Sequence, residues 1–203
     1  AGSCSRQSSR QLCEQVRMIQ AASLAALSLE PFEVAWGGQH IKADFVAGSA
    51  ATRTLIIHGA GASERRRFAT LRSALCQRGF GSTAFDCIGH GETGGSMRES
   101  SLSCRTRQAE AVLDSQSGAA PLAVIGISMG AYNAIKLLET RVVAALVLVV
   151  PGVYTPSAYD LLFGPAFSAA IRRERSWDDT DAWRLLEQYP GRLLVIAAEN
   201  DAV

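Results

Sequence analysis

The sequence predicts an α/β domain built on a mostly parallel sheet with helices on both faces. Three observations carry that prediction. Strand-length apolar runs alternate with helical patterns through most of the chain. The stretch Val142–Val150 is apolar without a break, as in a strand covered on both faces. A strand-to-helix junction centred on residues 126–130 reads Gly-Ile-Ser-Met-Gly.

The elements follow in order. Phe32–Trp36 alternates, Gly37 and Gly38 turn, and Ile41–Ala47 alternates again, which predicts an antiparallel hairpin. Thr54–Ile57 has the composition of a buried strand. A helix is expected from about Ser63 to Arg78, with Phe68, Leu71 and Leu75 on one face and Gly79 as its stop. Ser82–Phe85 is the next strand. A second helix is expected over about 102–115, with Leu102, Ala109, Val112 and Leu113 apolar. Leu122–Ile125 then leads into a helical pattern at Ala131, Ala134, Ile135 and Leu138. Val142–Val150 and Leu193–Ala198 complete the strands. Residues 153–190 interrupt the rhythm with two aromatic-rich helical patterns, one through Tyr159, Phe163 and Phe167, the other through Trp183, Leu186 and Tyr189. An insertion after a strand, at the end where sites form, is expected to be a small lid.

Composition excludes several functions. At 203 residues the chain suits a single domain, and a net charge of +1 gives no pull toward nucleic acid or anionic membrane. The basic runs Glu64–Arg67 and Arg172–Arg175 are expected to be solvated helix faces, and Asp178, Asp179 and Asp181 solvated acids at helix starts. Five cysteines without a Cys-x-x-Cys pair favour reduced thiols in a cytoplasmic protein over a disulfide framework or a zinc site. Neither metal nor cofactor is implied. No run reaches the length of a membrane-spanning helix. Residues 1–20, rich in Ser, Arg and Gln, and the apolar Ala21–Leu29 imitate a signal peptide. Ser23 and Ser28 break that imitation, so residues 1–30 are expected to be a helical or disordered extension, with Met18 as an alternative start.

The chemistry concentrates at the Gly-x-Ser-x-Gly junction. A serine at a sharp strand-to-helix turn has its hydroxyl exposed above a sheet, and the small residues at Gly126 and Gly130 let neighbouring backbone pass close. Ser128 is therefore the candidate nucleophile. The competing explanation is a plain Gly/Ser turn.

Together with two further motifs, this junction resembles the α/β-hydrolase fold, over residues 31–203. His58-Gly59-Ala60-Gly61 follows the third strand, Asp86 to Thr93 the fourth, and Gly126 to Gly130 the fifth. The Gly89-His90-Gly91 loop and the short lid resemble the serine esterase and lipase branch, of the monoglyceride-lipase and cinnamoyl-esterase type. The resemblance implies an oxyanion hole made by the backbone N–H groups of Met129 and Ala60, supported by His58, Gly59, Gly126 and Gly130. It implies Asp201 as the acid, with Glu199 as a rival; the other family position, after Val142–Val150, holds Pro151 and Gly152.

One part of the pattern is missing. The family order places a histidine after the acid, yet His40, His58 and His90 all precede Ser128. Two accounts fit. The expected one is a piece of a longer hydrolase, lacking a final strand, the histidine loop and a last helix; the other is a shortened homologue without catalysis. The expected function is hydrolysis of a small-molecule carboxylic ester through an acyl-enzyme, weak or absent in these 203 residues. The alternatives are an acyl thioesterase or acyltransferase, and a catalytically dead binding protein.

Overall fold

The computed structural model describes residues 14, 15, 18, 19, 22, 27–116 and 118–199. Most of the extension expected over 1–30 lies outside them. Seven strands are described: β1 (Glu30–Trp36), β2 (Gln39–Val46), β3 (Arg53–Ile57), β4 (Ser82–Phe85), β5 (Leu122–Ile127), β6 (Val143–Val149) and β7 (Arg192–Ile196). They form one sheet in the order β1-β2-β4-β3-β5-β6-β7. β1 pairs antiparallel with β2 through the Gly37-Gly38 turn, and β2 pairs antiparallel with β4. Every other pairing is parallel.

The helices are α1 (Ala69–Gln77), α2 (Leu102–Asp114), α3 (Met129–Lys136), α4 (Pro165–Ile171) and α5 (Ala182–Glu187). The period of two in a strand sorts the core. Leu55, Ile57 and Val124 face a large cluster shared with α2 and α3. Ile56, Ala84 and Ile125 face the other side, where Phe68, Leu71 and Leu75 around α1 cover them. At its far edge the sheet is open: Leu193, Leu194, Val195 and Ile196 of β7 are each 44–53% exposed.

The helix expected over 63–78 is shorter than its pattern. Its first turn, Arg65–Phe68, is a 3₁₀ turn, and the α-helix begins at Ala69. Arg65 fixes that start. It is 5% exposed, not solvated as the basic run suggested. Its backbone N–H donates to Asp86 Oδ1 (2.7 Å) and its Nε to Asp44 Oδ2 (2.7 Å), and its remaining nitrogens reach Asp86 and Glu92. Arg72, also buried, donates to the second oxygen of Asp44 and to Ser82. Two buried carboxylates, Asp44 within β2 and Asp86 just past β4, require such partners, because an unpaired buried charge is expensive. The expectation that Asp181 is a solvated acid also fails: its carboxylate accepts from Tyr132 (2.7 Å) and Lys136 (2.6 Å) of α3. Burial opposes the charge on Lys136, but its bonds to Asp181 and Glu139 prevail and raise its pKa.

Candidate active site

Ser128 joins β5 to α3 with φ 53° and ψ −120°, a left-handed conformation that L-residues avoid. Its main chain is held from three directions. The Ser128 N–H donates to Val149 O (2.9 Å), and its carbonyl accepts from Ala131 N (3.0 Å) and Gly152 N (3.1 Å). This over-determination keeps the strain in place. Two glycines make the turn sterically feasible. A Cβ on Gly126 would lie 2.5 Å from Ala131 Cα, and one on Gly130 would lie 2.3 Å from Ile57 O. Ser128 itself is exposed, and its hydroxyl has no protein partner among the described residues.

The loop after β3 runs alongside. A Cβ on Gly59 would sit 3.1 Å from Ser128 Cβ and 3.6 Å from its Oγ. Ala60 follows at partial exposure. Its N–H has no acceptor among the described residues, and the Met129 N–H lies in the first turn of α3, where a helix supplies no partner of its own.

His58 is buried under this loop. It accepts from Cys87 N–H through Nε2 (3.0 Å), so the ring proton is on Nδ1, which donates to Gly59 O (2.6 Å). Burial, with Arg105 and His90 nearby, holds its pKa well below the ordinary 6.5. Both nitrogens are committed to backbone, so His58 braces the loop and takes no proton from Ser128. A pH dependence follows. The unfolded chain binds a proton near pH 6.5 while folded His58 stays neutral, so stability is full above that pH and falls below it. One such group contributes a slope of about 1.4 kcal/mol per pH unit. Urea unfolding between pH 7.5 and 5 should show this loss, with a shallower slope in His58→Gln.

His90 is buried beside it, with ring centroids 4.6 Å apart, and burial also lowers its pKa. Its loop wraps the Asp86 carboxylate, which accepts from Glu92 N–H at 3.0 Å. Gly91, at φ 50°, approaches that carboxylate so closely that a Cβ would lie 2.2 Å from Oδ2. The Asp86–Thr93 motif is thus a structural turn. His40 is exposed on the hairpin beside Glu33. Cys87 is fully buried, and desolvation pushes its thiol up to about 11, which leaves it inert.

The expected acid Asp201 lies outside the described residues. Its rival Glu199 is exposed just past β7. Tyr154 reaches Gly152, whose N–H bonds Ser128 O; a Cβ on Gly152 would be 2.9 Å from the phenol oxygen. Tyr154 packs on Phe167 of α4, and Phe167 on Phe163, with centroids 5.9 and 4.9 Å apart. The aromatics of the 153–190 segment are therefore mainly packed against each other and the core. Among the described residues no cluster of His, Cys, Asp or Glu fits a metal ion, and no helix is long and apolar enough to cross a membrane.

Sequence reasoning missed three polar residues behind the site. Arg105 and Gln108 of α2 and Asn133 of α3 are fully buried. Gln108 Oε1 accepts from Ile88 N–H (3.0 Å), and Asn133 Nδ2 donates to Leu102 O (2.9 Å). The available signal was the polarity of α2 itself, which carries Arg, Thr and Gln at 105, 106 and 108, on the turn before its apolar residues.

A family model described as the alpha/beta hydrolase family matches residues 54–202. No curated protein matches the chain. Among solved structures, a putative hydrolase from Agrobacterium vitis S4 is 24% identical with a TM-score of 0.56, over 73% of this chain and 62% of its own. The thioesterase domain from the curacin biosynthetic pathway is 23% identical with a TM-score of 0.57, over 63% of this chain and 46% of its own. The Pyrococcus furiosus esterase Pf2001 is 17% identical with a TM-score of 0.60, over 84% and 70% respectively. The chain thus spans less than two thirds of the first two. At these identities the likeness establishes the fold.

Proposed function

The chain belongs to the alpha/beta hydrolase family, and from that premise we propose that it is a serine hydrolase of carboxylic esters, acting through an acyl-enzyme on Ser128. The observation that carries the reading is the placement of Ser128. An exposed hydroxyl is fixed in a strained turn beside a glycine backbone and two amides without acceptors. In this reading Ser128 Oγ attacks the acyl carbon, and its proton passes to a base. The carbonyl oxygen takes the negative charge of the tetrahedral intermediate between the N–H groups of Met129 and Ala60. Collapse expels the alcohol, which leaves with the proton returned by the base. Water then repeats the sequence on the acyl-serine.

In this reading the base is a histidine that Asp201 orients, and none of the three histidines of this chain takes that place. His58 is committed to backbone, His90 is enclosed, and His40 sits on the exposed hairpin. The aromatic segment over 153–190 is the lid of the site, tied down by Asp181 on Lys136 and Tyr132.

The likeness to a thioesterase domain supports a second reading, in which the same acyl-enzyme forms from a thioester. The two separate when matched aryl esters and acyl thioesters are offered with imidazole in solution to replace the base. Acyl-Ser128 is then quantified by mass spectrometry. Faster acylation by esters supports the proposal; faster acylation by thioesters replaces it with the second reading; no acyl-Ser128 from either overturns both.

A further inference from the structure

Arg105 is a fully buried cation that pairs with no carboxylate among the described residues. Its partners are unusual. Nη2 donates to His58 O (2.5 Å) and Gly59 O (3.3 Å), Nε donates to Asn133 Oδ1 (3.2 Å), and Nη1 has no partner. A buried guanidinium is costly, and two carbonyls repay less of that cost than a carboxylate would. The place where the charge is aimed is therefore informative. Gly59 O receives both Arg105 Nη2 and the His58 Nδ1 proton. It belongs to the same peptide unit as the Ala60 N–H. In a trans peptide the C=O and N–H point in opposite directions. A charge holding the carbonyl on the buried side thus turns the Ala60 N–H away from Arg105.

We propose that Arg105 is a positioning residue that orients and polarises the Gly59–Ala60 peptide, so that a buried positive charge backs the Ala60 N–H as an oxyanion donor. This rests on the serine-hydrolase reading. A cation on the carbonyl draws electron density through the amide and strengthens the N–H as a donor, the cooperative effect expected in a low-dielectric interior. Helix α2 supplies the rigidity. Asn133 holds the guanidinium at Nε and is itself fixed to Leu102 O and Thr106 Oγ1.

The test compares wild-type protein with Arg105→Met, Arg105→Lys and Val112→Ala. Val112 is a buried residue of the same helix, remote from these carbonyls in the bonding pattern, and its variant controls for lost stability. Two quantities are read. One is the rate and apparent affinity for phosphonylation of Ser128 by a fluorophosphonate in the presence of imidazole. The other is the ¹⁵N shift of the Ala60 amide. Loss of a single oxyanion donor lowers rates about 10²- to 10³-fold. Arg105→Met is expected to lower the maximal rate about 10- to 100-fold with affinity nearly unchanged, and to move the Ala60 resonance upfield. Arg105→Lys should recover part of both, and Val112→Ala should change neither. An Ala60 shift unmoved in folded Arg105→Met overturns the proposal. So does a maximal rate within twofold of wild type, or an equal loss in Val112→Ala. An unlabelled Ser128 in the wild type instead overturns the hydrolase reading, and removes the catalytic part of this inference with it; the Ala60 shift still decides the polarisation.

Discussion

Ser128→Ala is expected to abolish acyl transfer and leave the fold intact. In a serine hydrolase with its base in place, loss of the nucleophile lowers turnover by about 10⁶-fold; here, with imidazole as the base, the loss is read as the absence of acyl-Ser128, and no neighbouring group replaces it: Cys87 is buried with its thiol pushed up to about 11. The fold survives because the Ser128 side chain makes no bond that alanine would lose among the described residues, while the main-chain bonds to Val149, Ala131 and Gly152 remain. Those bonds hold φ at 53° whatever the side chain. A companion variant isolates the strain. Ser128→Gly should raise stability by about 1 kcal/mol, measured by denaturant unfolding. A more stable and inactive Gly variant would show conformational strain maintained at the reacting residue.

Gly130→Ala is expected to be the most damaging single methyl in the site. Its Cβ would meet Ile57 O at 2.3 Å and His58 O at 2.5 Å, both backbone atoms that cannot swing aside. β3 and α3 would have to separate, at a cost of about 3 kcal/mol. The displaced carbonyls lie at the root of the Gly59–Ala60 loop, so molecules that still fold should react poorly at Ser128. Gly61→Ala provides the contrast. Gly61 has a positive φ of 69° but nothing within 4 Å of its Cβ position. Only conformational strain of about 1 kcal/mol is expected there. Thermal melts of the two variants should differ widely, and equal melts would contradict the close approach at Gly130.

Much of this architecture was legible in the sequence because its strands and helices keep their periods. The hairpin, the parallel rhythm and the Gly-x-Ser-x-Gly junction all correspond to elements of the sheet. The buried charges were not legible. Arg65 lies in a basic run that looks solvated, and its partners Asp44 and Asp86 are each 21 residues away. The clue was on the acid side: Asp44 falls inside a predicted strand, and a carboxylate there needs a cation. Arg105 was hidden for a different reason. Its partners are main-chain carbonyls 46 and 47 residues distant, and no side-chain pattern marks a carbonyl. Only the sheet order, which places β3 between β4 and β5, brings the 58–60 loop beneath α2 and beside Ser128. The aromatics of 153–190 were visible as two helical patterns, whereas the tether of Asp181 to Lys136 and Tyr132 depends on how that segment folds back on α3.

The central claim is that Ser128 is a nucleophile held ready beside its oxyanion donors and awaiting only a base. It is tested most directly by exposing the folded 203-residue chain to an aryl fluorophosphonate across a series of imidazole concentrations, with the adduct located by peptide mass spectrometry. The expected result is a single adduct on Ser128 whose rate of formation rises with imidazole and which is absent in Ser128→Ala. A folded chain that gains no adduct on Ser128 at any imidazole concentration would contradict the account.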